Sequence, residues 1–237
     1  MEIDKIWAGG DDLFERLRDE DYIVRLKAFD SFIAESAEEE PGAVLSDFVE
    51  IIDMEIIPEL SASKTPTHLE ALAYIYRRLG EFALALPNPS SLTGLIDRMI
   101  GSIGHSSARV SAMALAGLGM IFQAMPDELF GERSDALRSA LAFEDEAALD
   151  AAVSAWSRIA SVAPKKALFV TGEVFALLRH SDARVRNQAL GYFYTLGKKM
   201  KSECSFALPA LRELRDGDSD MSIRERASAA IQAISQD

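Results

Sequence analysis

Cysteine is almost absent from this sequence, since Cys204 is the only one among 237 residues. A single thiol cannot form an intrachain disulfide or a cysteine-based zinc site. The chain has only 14 glycines and 8 prolines, which excludes a collagen-like or low-complexity protein. Apolar residues make up 49% and charged residues 27%, a balance typical of a globular protein with a sizeable core.

Long apolar runs and an export signal are also missing. The longest charge-free apolar stretch, from Val110 to Met125, is shorter than the roughly 20 residues that span a bilayer. The first residues, Met1-Glu2-Ile3-Asp4-Lys5, lack the basic-then-apolar order of a signal peptide. We therefore expect a cytoplasmic protein without a membrane partner.

Basic residues are scarce in the first quarter of the chain. The net charge is −13, and residues 1–62 contain 18 acidic and 5 basic side chains, whereas residues 158–237 contain 13 basic and 9 acidic ones. A strongly acidic total disfavours nonspecific binding to nucleic acid, because phosphates are repelled. The uneven charge leaves self-association open, with the acidic N-terminal end of one copy meeting the basic C-terminal end of another.

A pattern of about 40 residues recurs along the chain. An acidic or turn residue is followed three residues later by an aliphatic residue, whose place we call the key position. A small residue follows four residues after the key position. The six key residues are Val24, Leu69, Val110, Leu149, Val185 and Ile223. Apolar residues follow them at about +4, +8 and +11, which is one face of an α-helix.

Each of these helices is preceded by another, and prolines stand near the start of four of the earlier ones. No segment alternates with a period of two, so we predict no sheet. The sequence predicts one all-α solenoid over residues 1–237. Its six helical hairpins span about 10–38, 42–85, 90–124, 127–162, 164–200 and 202–235.

The last hairpins carry a family resemblance. Leu208-Pro209-Ala210-Leu211, followed by Asp220, Ile223 and Arg224, closely resembles a HEAT repeat. The segment from Val174 to Ala189 resembles one too, whereas repeats two to four lack the Asp and Arg. The resemblance covers nearly the whole chain. It implies a right-handed α-α superhelix with the second helices on the concave side. Neighbouring hairpins must stack, because none buries its apolar face alone.

Three Asp/Arg pairs are spaced i, i+4 at helix starts, namely Asp21/Arg25, Asp182/Arg186 and Asp220/Arg224. Because they recur with the repeat, we interpret each Asp as a helix cap that pairs with its Arg, and not as a catalytic acid.

No group of residues forms a convincing catalytic, metal or cofactor site. His68, His105 and His180 fall at inter-helix turns and none is followed by Glu, so we expect no metal site. Gly117 and Gly119 lie inside a predicted helix, which excludes a nucleotide-binding loop. Cys204 is expected to be a packed thiol. We therefore predict that the protein is not an enzyme and has no cofactor.

The concave surface is the candidate binding site. Its residues are expected at +2, +6, +9 and +13 from each key position. They are Ala71, Ile75, Arg78 and Phe82; Ala112, Ala116, Gly119 and Gln123; Ala151, Ala155, Arg158 and Val162; and Asn187, Gly191, Tyr194 and Lys198. Two interpretations remain open: small residues let the second helices approach closely, or they form the floor of a binding groove.

The predicted partner-binding residues come from this strip. They are Arg78, Ala116, Gln123, Ala155, Arg158, Asn187, Gly191, Tyr194 and Lys198. Lys198, Lys199 and Lys201 either complement a helix dipole or form a patch that binds a phosphate or an acidic partner.

The expected function is a non-catalytic adaptor that binds a protein or peptide. The alternatives are nucleic-acid binding, as in the HEAT-like DNA glycosylases, and an accessory subunit of an enzyme complex.

Overall fold

The computed structural model describes residues 10–38 and 44–235, and all the regular structure in these ranges is helical. The first hairpin pairs α1 (Gly10–Leu17) with α2 (Tyr22–Glu38). The second begins with α3 (Val44–Ile51), which continues through a π-helical segment (Ile52–Ile56) into α4 (Ile57–Ala62) and is followed by α5 (Pro66–Ala85).

Four further hairpins follow in the described residues up to Ser235, several with short 3-10 turns beside their first helices. They comprise α6 (Thr93–Gly101) with α7 (Ala108–Ala124), and α8 (Gly131–Ser139) with α9 (Glu146–Val162). They continue with α10 (Pro164–Ala167) and α11 (Thr171–Leu177) before α12 (Ala183–Gly197), and with α13 (Lys201–Cys204) and α14 (Leu208–Gly217) before α15 (Met221–Ser235). The predicted all-α superhelix of six hairpins is confirmed.

The second helices of the six hairpins are α2, α5, α7, α9, α12 and α15. All of them except α5 begin where a side chain caps the backbone. Asp182 accepts from the N–H of Arg184 at 2.6 Å, and Asp220 accepts from that of Ser222 at 2.8 Å. Asp21 does the same for Ile23 at 2.9 Å. An unpaired N–H at a helix start is costly, so these caps fix the helix boundaries. The predicted capping role of the aspartates is confirmed.

The predicted pairing of each Asp with the Arg four residues later is wrong. Arg186 binds Asp218 of the next repeat at 2.8 and 3.1 Å, and also the carbonyls of His180 and Ser181 at 2.8 Å. Arg224 likewise donates to the carbonyl of Asp218 at 2.6 Å. The arginines therefore hold the turn before their own helix, because a guanidinium has five donors and reaches several acceptors at once.

Close backbone contacts set the spacing of the central second helices. A Cβ atom added at Gly80 would lie 2.7 Å from the Cα of Gly117, and one added at Gly119 would lie 2.6 Å from the Cα of Ala155. Helices approach this closely only where side chains are absent or small. These small residues are therefore packing residues.

The register of repeats two and four differs from the prediction by one residue. Asp145, not Glu146, caps α9, so the key position is Ala148 and the buried face is Ala148, Ala152, Trp156 and Ile159. Thr65 precedes α5, so its face is His68, Leu72, Tyr76 and Leu79, of which the last three are fully buried. One residue rotates a helix face by about 100°.

This rotation changes the concave surface. Most of the residues predicted there in repeats two and four are buried, namely Ala71, Ile75, Phe82, Ala151 and Ala155. The corrected positions are Glu70, Tyr74, Arg77 and Glu81 in repeat two, and Asp150, Ser154, Ser157 and Ser161 in repeat four. The strip is therefore much more polar than the sequence analysis expected.

Candidate protein-binding groove

An open groove of about 480 Å³ lies between the first halves of α2, α5 and α7. Three of the corrected concave residues of repeat two, Glu70, Tyr74 and Arg77, line it. The concave position of repeat one, Leu26, lines it as well. The remaining lining residues are Tyr22, Pro66, Thr67, Ala71, Ala73, Arg109 and Met113. The groove is therefore part of the concave surface.

The glycine contact explains where the groove forms. Gly80 and Gly117 meet in the second half of α5, and Gly117 also lies against the carbonyl of Tyr76. The groove lies over the first half of α5, where the facing residues include the long side chains of Arg109 and Met113. α5 and α7 are therefore in contact where their facing residues are small, and they are further apart where the facing side chains are long.

The rim of the groove carries polar groups that are only loosely paired. Arg109 is 3.4 Å from Glu70, and both side chains are about 60% exposed. Arg77 donates to Glu81 at 3.0 Å. Ion pairs this exposed are worth about 0–1 kcal/mol, so a bound segment can replace them at little cost.

Tyr74 is held in place at the edge of the groove. Its hydroxyl donates to both carboxylate oxygens of Asp30 on α2, at 2.7 and 2.8 Å. Partial burial and the neighbouring Asp30 carboxylate raise the pKa of Tyr74, so the phenol stays neutral. Tyr74 is 39% exposed, and its ring offers an apolar face with one polar tip.

Each second helix after the first sends an arginine back to the preceding second helix. The pairs are Arg78 to Asp30, Arg109 to Glu70, Arg158 to Gln123, Arg184 to Glu146 and Arg226 to Asn187, at 3.0–3.5 Å. The same direction holds at all five interfaces between described second helices. This ladder was not predicted from the sequence, because three of its acceptors are carboxylates and two are amides, with no regular order.

Six of the nine predicted partner-binding residues take part in local contacts, four of them in this ladder. Arg78 binds Asp30 and Glu81, and Gln123 accepts from Arg158 at 3.1 Å. Asn187 accepts from Arg226 at 3.0 Å. Lys198 lies over the ring of Tyr194, 3.9 Å from its centroid.

The other three predicted residues contribute little or no exposed surface. Ala155 is fully buried against Gly119, so its predicted place on the surface is wrong. Gly191 is also buried, beneath the guanidinium of Arg226. Ala116 is half-buried on the strip.

The histidines and the cysteine are structural. His105 and His180 each accept from a backbone N–H two residues on, at 2.9 and 3.1 Å, and so stabilise the inter-helix turns. Burial raises the pKa of Cys204 to about 11, so its thiol stays protonated at neutral pH.

Residues 10–38 and 44–235 contain no group of three or more His, Cys, Asp or Glu side chains placed to hold a metal ion. Within the same ranges, no helix combines the length and the apolar character that crossing a membrane requires.

Comparison with solved structures identifies the architecture. A designed armadillo repeat protein in complex with the peptide (KR)4 superposes with a TM-score of 0.62, at 18% identity, over 94% of this chain and 98% of its own. The chain folds as an armadillo-like α-solenoid. Computationally designed armadillo repeat proteins for modular peptide recognition give a TM-score of 0.59, at 15% identity, covering 94% of this chain and 98% of theirs.

An engineered protein superposes on this solenoid with a TM-score of 0.61, at 19% identity, over 94% of this chain and 95% of its own. Neither a protein-family model nor a curated protein matches the sequence. At these identities the likeness establishes the fold alone, so function has to be argued from the surface of the solenoid.

Proposed function

We propose that this solenoid is a non-catalytic scaffold that binds an extended protein segment along its concave second-helix surface. The observation that carries the proposal is the groove between α2, α5 and α7, which has an apolar floor and a polar rim. Binding sites for peptides are concave and largely apolar, with a few polar groups that fix orientation. The designed armadillo protein bound to (KR)4 is a precedent for this use of the fold.

The groove residues divide into two roles in this proposal. Leu26, Met113 and the ring of Tyr74 contact an apolar side chain of the segment. Arg77 and Arg109 exchange their weak ion pairs for hydrogen bonds to the backbone carbonyls or carboxylates of the segment. Exposed aromatic and arginine residues are the types that most often dominate binding energy in interfaces.

The rest of the strip extends the site toward the C-terminus. Ala116, Gln123 and Arg158 come next, followed by Asn187, Tyr194 and Lys198. Asp150 and Ser154 are the corrected residues of repeat four between them. Most of these side chains are polar, which suits hydrogen bonding to an extended backbone. Ala155 and Gly191 are left out of the proposed site, because both are buried.

Nucleic-acid binding is not favoured by this surface. Asp30, Glu70, Glu81, Asp150 and Glu225 all lie at concave positions, where they would repel phosphates. The ladder arginines face carboxylates or amides of the preceding helix.

A peptide-display selection tests the proposal. Purified protein is used to select from a library of random extended peptides, and the enriched sequences are synthesised and measured by calorimetry. We expect Arg109→Glu and Tyr74→Ala each to weaken binding about tenfold, equivalent to about 1.4 kcal/mol. Both substitutions alter the groove, whereas the core stays intact.

A matched control separates the groove from general charge effects. Arg179 forms an ion pair with Glu213 at the same 3.4 Å distance as Arg109 with Glu70, and it is similarly exposed. It lies in the turn before α12, away from the groove. Arg179→Glu should leave binding unchanged. No enriched peptide, or an equal loss for Arg179→Glu and Arg109→Glu, would contradict the proposal.

A further inference from the structure

The positive charge of this protein is concentrated around repeat five, not in the last repeat. Residues 158–201 contain nine basic and two acidic side chains, whereas residues 202–235 contain four basic and six acidic ones. Five of the nine basic residues are lysines in the loops that precede α10 and α13 or at the start of those helices. The loops on both sides of repeat five therefore form a basic edge.

Two lysines of this edge bind neutral groups, which leave their charge uncancelled, whereas Lys166 lies 3.6 Å from Asp127 and is not counted further. Lys199 donates to the carbonyl of Ser161, and Lys198 lies against the ring of Tyr194. Lys165 is exposed. Phe206, five residues after Lys201, is 49% exposed although its ring lies 5.2 Å from that of Phe175 and 6.3 Å from that of Phe193, measured between centroids. We define the basic edge as Lys165, Lys198, Lys199, Lys201 and Phe206.

A pocket with the opposite character lies at the other end of the molecule. It has a volume of about 330 Å³ between α1 and the helix from Val44 to Ala62. The pocket is lined by the apolar residues Phe14, Ile51 and Met54 and by the acidic residues Asp47 and Glu50. Arg18 and Glu55 also line it and bind each other at 2.6–3.1 Å.

Met54 reaches the surface of this pocket from the π-helical segment and is 63% exposed. An extra residue in a helical turn re-aims side chains, and such segments occur frequently at functional sites. Asp47 and Glu50 are both exposed, on the helix that leads into the segment. We define the acidic pocket as Phe14, Asp47, Glu50, Ile51 and Met54.

We propose that the basic edge of one molecule docks into the acidic pocket of a second copy. The Phe206 ring enters the pocket, and the lysines of the edge face Asp47 and Glu50. An apolar cavity of about 150 Å³ accepts benzene in another protein, so a phenyl ring fits a 330 Å³ pocket. Charge and shape are complementary, and each copy carries both halves of the contact.

The two surfaces cannot meet within one molecule. The pocket belongs to repeats one and two, and the edge to repeats five and six. Stacked helices are about 8–10 Å apart, which places the surfaces roughly 30 Å from each other. The contact is therefore intermolecular and head-to-tail, and it produces a ring or an open chain. It leaves the groove between α2, α5 and α7 free and shares only Lys198 with the proposed binding strip, so it does not depend on the proposed function.

Sedimentation velocity and light scattering over a concentration series test this inference. We expect the mass to exceed that of the 25.9 kDa monomer and to rise with concentration at low salt. It should fall back toward the monomer near 1 M salt, where the screening length is about 3 Å. A monomer at every concentration in low salt would overturn the inference.

Charge reversal identifies the surfaces. Lys165→Glu/Lys199→Glu and Asp47→Lys/Glu50→Lys should each abolish association alone, and an equimolar mixture of the two variants should restore it. Lys27→Glu/Lys64→Glu changes the net charge as much as the first variant, at exposed residues outside both surfaces, and should associate like the parent. The inference would be overturned if the control variant lost association as the first variant does, or if the mixture did not recover it.

The apolar part of the contact is tested separately. Phe206→Ser should weaken association, whereas Phe130→Ser, at another exposed phenylalanine, should not.

Discussion

Gly117 is the point where the solenoid is most sensitive to one added carbon atom. Its ideal Cβ position is 2.3 Å from the carbonyl oxygen of Tyr76 and 2.6 Å from the methyl group of Met99. The Met99 side chain can move, but the Tyr76 carbonyl belongs to α5 itself. We therefore predict that Gly117→Ala forces α5 and α7 apart along their contact.

The expected magnitude is the difference between two opposing effects. Replacing a helical glycine by alanine normally stabilises a protein by about 1 kcal/mol. Overpacking a closely packed contact costs about 1–3 kcal/mol, and more where backbone must move. Because backbone atoms must move here, we take the upper end of the overpacking cost and subtract the gain from replacing glycine. We therefore expect Gly117→Ala to be less stable than the parent by about 2 kcal/mol. For a chain of this size, that lowers the Tm by roughly 4–8 °C.

Gly94→Ala is the matched control. Gly94 lies in α6, and a Cβ atom there would meet nothing within 4 Å. The control should therefore be as stable as the parent or slightly more stable. Circular dichroism at 222 nm during thermal and urea unfolding measures both variants. The reasoning is refuted if Gly117→Ala unfolds together with Gly94→Ala, because the close approach of α5 and α7 would then be absent.

Three other predictions concern single side chains. Asp145→Ala should cost about 1 kcal/mol in urea unfolding, since Asp145 caps α9, whereas Glu146→Ala should cost less than half of that; equal costs would contradict the corrected register. Burial acts to raise the pKa of Asp218, but hydrogen bonds from Arg186 outweigh it and the pKa is lowered. The stability this carboxylate adds is therefore complete above its unfolded pKa of 3.8 and is lost as the pH falls through the lower folded value; Asp218→Asn should flatten that acid limb in unfolding titrations. Cys204, with a pKa raised to about 11, should react with a thiol reagent at pH 8 only after unfolding, and rapid labelling of the native protein would contradict its burial.

The sequence predicted the repeat architecture because the repeat is a local property. A capping residue, a key aliphatic three positions later and apolar residues at helical spacing specify each second helix without reference to its neighbours. This is why α12 and α15 lie within the predicted hairpins 164–200 and 202–235. It also explains why Asp182 and Asp220 were recognised as caps, whereas the distant partner of Arg186 was not.

The register of repeats two and four could not be read in the same way. Asp145 and Glu146 are both acidic, and Ala148 and Leu149 are both apolar, so each pair offers two registers with the same local pattern. The tight approach of Gly119 to Ala155 selects one of them, because only that register turns Ala155 toward α7. The choice removed Ala155 from the predicted site and placed Asp150 and Ser154 on the strip.

By itself, then, the sequence determined the number of hairpins, their helical character and the unequal distribution of charge. Those features depend on residues close together in the chain. Tertiary structure decided which faces are exposed, because contacts between helices about 40 residues apart fix the rotation of each one. It also decided where the groove opens, since the Gly80–Gly117 contact closes one half of α5 against α7 and leaves the other half apart. A shift of one residue in register leaves the helical pattern of the sequence recognisable, but it rotates the helix by about 100° and so changes which side chains a partner contacts.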